Sequence, residues 1–311
     1  MNQPNFLILG AAKSGTTSLY HYLSQHPEIF MSRVKEPNFF ACEGDKLDYQ
    51  GPGYAYVRDW TVTDWQDYQD LFAGVKAKAR GEASWSSFYY PLAAERIKHY
   101  CPEMKFILLL RNPIERAFSH HSYLRQYEKE PVADLMEAIS LESQRIEANY
   151  WADWHYIQLG FYSQGIKRYR TMFGKSKLKI ILYEDFVRET TGILRDIFDF
   201  LEVDREYQSA AFTQTHNSTQ LPRSQTLHRL FQTSRQVQLK QIVKTLIPES
   251  IYQSLKHNRD RLERQTQYKP ELFPQVRQQL EKIYRSEIAE LEQLLERDLS
   301  SWSTLAPSHS T

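Results

Sequence analysis

An α/β fold with a central parallel sheet, helices on both of its faces and a helical C-terminal region is what this sequence predicts. Three short apolar runs carry the expectation: Phe6-Leu7-Ile8-Leu9, the stretch from Lys105 to Leu110, and the stretch from Leu178 to Tyr183. None alternates apolar with polar residues, so each reads as a strand covered on both faces. Each also feeds a helical pattern, which is the repeating unit of a parallel sheet.

The first strand is stopped by Gly10, after which Leu19, Tyr20 and Leu23 recur at helical spacing until His26-Pro27 ends the pattern. The second run leads into Asn112-Pro113-Ile114-Glu115, in which Asn can cap a helix, Pro fits the first helical position and Glu the third. After the third run, Ile193, Leu194, Ile197 and Leu201 form an apolar stripe on another helix. A last helix is expected from Pro274 to about Leu299, with Val276, Leu280, Ile283, Tyr284, Leu291, Leu294 and Leu295 on one face. It reads as a packing helix, because the stripe is too short for a sustained coiled-coil seam; a partner-binding helix is the alternative.

Bulk composition narrows the function by exclusion. The 311 residues carry 39 basic and 38 acidic side chains, a net charge of +1, so nothing pulls the whole chain toward nucleic acid or an anionic membrane. Anion recognition has to be local. Cys42 and Cys101 are too few for a disulfide framework or a four-cysteine metal site and read as packing residues, and no metal site is expected. The first apolar run is far shorter than the ~20 residues of a membrane span and has no basic segment ahead of it. No transmembrane segment or export signal is therefore expected, and a cytoplasmic location is. No repeat or low-complexity tract is visible. From Tyr207 to Pro248 there is no acidic residue, while Arg223, Arg229, Arg235, Lys240 and Lys244 are present: an anion-facing surface or a solvated basic helix. Aromatics cluster between Tyr49 and Tyr90 as core filling, or as a surface for a flat or carbohydrate-like group.

The chemistry begins in the loop after the first strand. Gly10-Ala11-Ala12-Lys13-Ser14-Gly15-Thr16-Thr17 lies between a strand and a helix, where backbone amides and a helix N-terminus converge on a phosphate. The spacing is P-loop-like, with Gly10 and Gly15 at the two glycine positions of G-x-x-x-x-G-K-[ST]. Thr16 follows the second glycine, however, and the lysine lies inside the loop at Lys13. From there an ammonium reaches a bridging oxygen at the end of a 5′-phosphate. The strand after Lys105 ends in Arg111, where a nucleoside triphosphatase would place an Asp for Mg²⁺. A guanidinium fork suits a phosphate monoester, and Ser119, two turns into the following helix, can add a hydroxyl.

These motifs resemble the sulfotransferases that use 3′-phosphoadenosine 5′-phosphosulfate (PAPS), in particular a bacterial branch similar to the heparan sulfate N- and 3-O-sulfotransferases. The K-x-G-T-T loop of that family reads Lys13-Ser14-Gly15-Thr16-Thr17 here. Its R-[DN]-P-x-E-R-x-x-S segment reads Arg111-Asn112-Pro113-Ile114-Glu115-Arg116-Ala117-Phe118-Ser119. Lys35-Glu36-Pro37-Asn38-Phe39-Phe40 resembles the segment that carries the catalytic carboxylate, and Gly81-Glu82-Ala83-Ser84 partly matches G-E-K-[ST]-P, with Ala83 in place of the lysine. Tyr183-Glu184-Asp185 and Leu221-Pro222-Arg223-Ser224 are similar to further landmarks.

The resemblance implies PAPS as donor, its product PAP, and one domain across 1–311. A nucleotide-binding core would fill about 1–205 and a mainly helical extension about 206–311. It implies donor contacts from Lys13, Ser14, Gly15, Thr16, Thr17, Ser18, Arg111, Ser119 and Arg223. Sulfonate transfer to a hydroxyl or amine needs a base on the acceptor side and a cation at the leaving oxygen, which assigns Glu36 and Lys13. Glu82 is a second carboxylate expected near the cleft, orienting Lys13 or the acceptor. His120 and His121 are rival bases, and Trp85, Trp60, Trp65 and Tyr162 either line the cleft or fill the core. The acceptor, whether carbohydrate, lipid, small molecule or carrier-bound, is left open. A P-loop kinase using Mg-ATP and a PAP-binding scaffold without turnover are the competing readings.

Overall fold

The structure is a computed structural model that describes residues 3–213, 221–222, 267–268 and 270–303. Its centre is a five-stranded parallel sheet of β1 (Phe6–Gly10), β2 (Ile29–Met31), β3 (Ala79–Ala83), β4 (Lys105–Leu110) and β5 (Leu178–Leu182), in the order β2-β3-β1-β4-β5. The three strands expected from the sequence are β1, β4 and β5, side by side. The other two carry weak signals for a physical reason. β2 is only three residues long, and β3 reads Ala-Arg-Gly-Glu-Ala. What holds β3 is pairing on both edges, with Gly81 seated against the Phe6 ring, where an added Cβ would lie 2.4 Å from ring carbon. Only glycine fits so close an approach.

Side chains alternate along the adjacent strands β1 and β4 and so divide the core into two layers. On one face Leu7, Leu9, Phe106, Leu108 and Leu110 pack with Ile97, Tyr169, Tyr284 and Leu291. These come from the helices Pro91–Tyr100, Ser163–Phe173 and Pro274–Leu295. On the other, Phe6, Ile8, Ile107 and Leu109 pack with Leu19 and Leu23 of Thr16–Leu23 and with Leu194, Ile197 and Leu201 of Thr190–Leu201. Both faces are covered, as the non-alternating strands require. Cys42 and Cys101 are buried and unpaired.

The C-terminal helix is shorter than expected, ending at Leu295 with Glu296 in the left-handed region. It packs against the sheet domain, and its buried Glu287 accepts hydrogen bonds from the Tyr162 and Ser163 amides (2.8 and 2.7 Å) at the start of Ser163–Phe173. The one other described pairing beyond residue 213 is antiparallel, Leu221–Pro222 against Gln267–Tyr268, inside the region expected to be mainly helical. Arg223 and most of the acid-free tract lie outside the described residues.

Because all five strands run the same way, their C-terminal ends share one edge of the sheet, the usual place for a ligand in an α/β fold. The β1–β4 register shifts between Ile8 and Gly10, which releases the chain into the glycine loop at that edge.

Candidate active site

The loop after β1 turns through Lys13 (φ 62°) and Gly15 (φ 91°), both left-handed, and delivers the chain into the helix Thr16–Leu23. Gly15 is required twice over: its φ disfavours a side chain, and an added Cβ would sit 3.1 Å from the Tyr183 ring. Thr16, Thr17 and Ser18 line a cleft at the helix N-terminus, where first-turn amides and the helix dipole favour an anion. Ser14 differs from expectation. Its side chain is fully buried beneath the loop and is absent from the cleft lining, and its amide donates to the Ala11 carbonyl at 3.2 Å. Ser14 therefore shapes the turn, and no side-chain contact to a bound group follows from it.

Arg111 leaves the end of β4 and lines the same cleft as Lys13. The guanidinium donates to the Lys13 carbonyl at 3.3 Å and lies over the Tyr183 ring, 4.9 Å from its centroid. Tyr183 thus stacks between Gly15 and Arg111 and fixes the distance between loop and strand end. From behind, the Tyr162 hydroxyl donates to the Arg111 carbonyl (3.1 Å), and Tyr162 is itself held by Glu287. Lys13 Nζ stands 3.7 Å from the centroid of the Tyr123 ring. Neither Lys13 nor Arg111 forms an ion pair among the described residues. Burial, together with the Arg111 charge beside it, pushes the Lys13 ammonium down to about 8. Two adjacent cations, in no ion pair among the described residues and one of them desolvated by burial, favour an anion that joins them.

The following helix Pro113–Gln126 starts as the sequence predicts: Asn112 Oδ1 accepts from the Ile114 amide at 2.9 Å with Pro113 at the first position. Glu115 departs from the expected reciprocal cap and pairs instead with Arg277 of the C-terminal helix. Ser119 lines the cleft two turns along.

Glu36 stands across the cleft on the segment between β2 and the short helix Phe39–Cys42, with φ 60°. Its carboxylate is paired with Lys35 at 2.5 Å, and its amide donates to the Ala83 carbonyl at 3.0 Å. Glu82 is corrected by the structure. It is fully buried, does not line the cleft, and accepts from Ser84 Oγ (2.7 Å) and the Tyr68 hydroxyl (3.4 Å). Burial pushes its carboxyl up to about 8, so it is mainly protonated at neutral pH. Its influence runs through the wall: Ser84 Oγ accepts from the Asn38 amide at 3.2 Å, and Ser86 Oγ donates to Asn38 Oδ1 at 2.7 Å. That chain pins the left-handed Asn38, two residues from Glu36.

The two histidines separate. His121 turns away from the cleft toward the Val132 carbonyl (3.0 Å), whereas His120 lines the cleft. Arg116 Nη1 faces His120 Nδ1 at 3.3 Å, and an arginine only donates, so that nitrogen carries no proton. Burial and the Arg116 charge hold His120 well below the usual imidazole range. A neutral ring with its proton on Nε2 offers the cleft a donor, which removes His120 as a base. Trp60 and Trp85 line the cleft, while Trp65 stacks on Tyr100 (4.1 Å) in the core and Tyr162 is buried behind Arg111.

The sequence reading missed Tyr123, Lys129, Trp151, Asp153, Tyr183 and Arg188, all of which line the cleft. Tyr183 opens a landmark already quoted; for the others no local pattern announced the site. The cleft measures about 1400 Å³. That exceeds the roughly 300–1,000 Å³ of a pocket for one small ligand.

Comparison with known proteins follows this geometry. The family model described as "Sulfotransferase family" matches residues 4–207, which span the whole sheet, the glycine loop, Glu36 and Arg111. The crystal structure of a sulfotransferase from Alicyclobacillus acidocaldarius is 30% identical and covers 98% of this chain and 100% of its own, with a TM-score of 0.76. Mouse carbohydrate sulfotransferase 15 is 27% identical over 72% of this chain and 48% of its own length. Mouse bifunctional heparan sulfate N-deacetylase/N-sulfotransferase 4 is 27% identical over 66% of this chain and 23% of its own. The chain thus spans about half the length of the first of these mouse proteins and about a quarter of the second. With the match running through every strand that positions the two cations and the carboxylate, the chain belongs to the sulfotransferase family.

Proposed function

We propose that the protein transfers a sulfonate group from PAPS to a hydroxyl or amine of an acceptor. One observation carries the reading: Lys13 and Arg111, joined through the Lys13 carbonyl, open onto the same cleft as Glu36. A nucleotide with anionic groups at its 5′ and 3′ positions satisfies both unpaired cations. The amides of Gly15, Thr16 and Thr17 and the hydroxyls of Thr16, Thr17 and Ser18 take the 5′-phosphosulfate, while Arg111 and Ser119 take the 3′-phosphate.

In the transfer step the acceptor proton passes to the Glu36 carboxylate as the acceptor atom bonds to sulfur. The bond from sulfur to the bridging oxygen breaks in line, and PAP departs with the electron pair on that oxygen. Lys13 stabilises the charge developing there, in a site where burial keeps water from screening it. Lys35 orients Glu36 through their ion pair. The names of the relatives, carbohydrate and heparan sulfate sulfotransferases, favour a sugar hydroxyl or amine as acceptor, and Trp60, half-buried on the cleft wall, is the tryptophan best placed to meet such a ring.

The test combines binding and turnover. PAP should raise the melting temperature of the purified chain, and radiolabelled sulfonate should move from PAPS to members of a glycan and alcohol panel, with Glu36→Gln abolishing transfer. A chain that PAP neither binds nor stabilises overturns the reading.

A further inference from the structure

Asp153 is a carboxylate on the cleft wall. It lies in the turn Ala152–Trp154, lines the cleft with its side chain only 17% exposed, and accepts no hydrogen bond among the described residues. A mostly buried carboxylate facing a cleft with no protein donor on it is free to bind a donor from a ligand. Beside it stands His120, with Nε2 3.9 Å from Oδ1. That distance is too long for a hydrogen bond and short enough for both groups to reach one small atom lodged against them.

The chemistry of the pair is set by what stands behind it. Arg116, fully buried, donates through Nη1 to His120 Nδ1 and through Nη2 to the Tyr156 carbonyl, two contacts that hold it in place. His120 therefore presents a fixed Nε2–H donor, and Asp153 an acceptor. An ammonium would satisfy Asp153 but confront the His120 proton, and Lys13 and Lys129 already act on this carboxylate. A carboxylate or phosphate would satisfy His120 but oppose Asp153 and Glu36. A neutral hydroxyl does both, because one oxygen donates and accepts at once.

We propose that Asp153 and His120 form a hydroxyl-recognition subsite in the acceptor half of the cleft. It receives a second hydroxyl of the acceptor, which donates to the Asp153 carboxylate and accepts from His120 Nε2–H. The assignment rests on the sulfotransferase reading for what occupies the rest of the cleft. It adds a selection rule: the acceptor carries a hydroxyl beside the group that is sulfonated, and Asp153 discriminates against acceptors that lack it.

The test uses the full chain, with and without saturating PAP, titrated with cis-cyclohexane-1,2-diol and with cyclohexanol. Affinities come from calorimetry, and the ¹⁵N and ¹H resonances of the His120 imidazole report occupancy of the subsite. The diol should bind at least about tenfold more tightly than the mono-alcohol, the gain expected of a hydrogen bond to a charged group, and should shift the Nε2–H resonance. Asp153→Ala should erase that difference while PAP affinity stays within about threefold of the parent, marking a folded chain. The wild-type comparison alone decides the matter should the variant fail to fold. Equal responses to the two alcohols, absence of any response included, mean that the gap holds water only and overturn the subsite. Loss of PAP binding by the wild type instead overturns the sulfotransferase reading, so the two failures are distinct.

Discussion

The two halves of the cleft are built by opposite means. The cationic half hangs on the short segments that follow two neighbouring strands: Lys13 and Gly15 after β1, Arg111 at the end of β4 with Ser119 on the helix behind it. The acidic half is assembled from Glu36, His120 and Asp153, three segments separated by more than thirty residues each, none of them on a strand. Backbone geometry sets the first, with the glycine loop and helix N-terminus doing the placing. Long-range hydrogen bonds set Glu36, through Ala83 to Glu36 and Ser84 to Asn38, while His120 is held by Arg116 one turn earlier on the same helix. The nucleotide half thus varies little when one wall residue changes, whereas the acceptor half depends on each contact that pins it.

Substitutions can break this division. Glu36→Gln should lower kcat by about 10²–10⁴-fold, the usual contribution of a general base, while PAP affinity is unchanged. Parallel calorimetry and transfer assays check the pair of outcomes. Lys13→Ala should cost about 10²–10³-fold in kcat/KM and weaken PAP as well, because its cation serves both ground state and leaving group. Arg111→Ala should weaken PAP by about 10- to 100-fold, as expected for losing a charged hydrogen bond, and change kcat at saturation far less. If Glu36→Gln weakens PAP as much as Arg111→Ala does, the two halves are not separate.

Changing pH sharpens the same contrast. Lys13 sits at about 8 in the free protein, so PAP affinity should be level below that value and fall as pH rises through it, the charged form being the one that binds. Calorimetry between pH 6.5 and 9.5 reads this directly, and Lys13→Ala should flatten the profile. On the acceptor side the smallest effect belongs to Glu82, whose folded value of about 8 stands above the ordinary carboxyl value of 4.5. Its contribution to stability is fully present below the lower value and is lost as pH climbs through the higher one. Glu82→Gln, which keeps an uncharged hydrogen-bonding group, should raise the melting temperature by roughly 2–4 °C at pH 9 and leave it unchanged at pH 4.

What was legible in the sequence follows from where the information lies. Strands β1 and β4 were readable because they are buried on both faces and so are almost wholly apolar, and β5, at the sheet edge, because Lys179 is the one polar residue in it. β3 was not, because Ala79-Arg80-Gly81-Glu82-Ala83 becomes a strand only between two neighbours and against the Phe6 ring. Lys13, Gly15, Arg111 and Ser119 were readable because their spacing encodes a strand end, a tight turn and a helix start. Glu82 was drawn to the cleft by its motif and turned out to face inward, since nothing in a linear sequence says on which side of a wall a carboxylate lies.

By itself, then, the sequence determined the sheet, the phosphate loop and the replacement of a metal ligand by an arginine, because each depends on residues within one turn or one strand of another. Only tertiary structure decided which carboxylates open onto the cleft, which histidine reaches it, and that Asp153 stands beside His120 there. Those outcomes depend on burial and on which segments distant in the chain come together, and both exist only once the chain has packed.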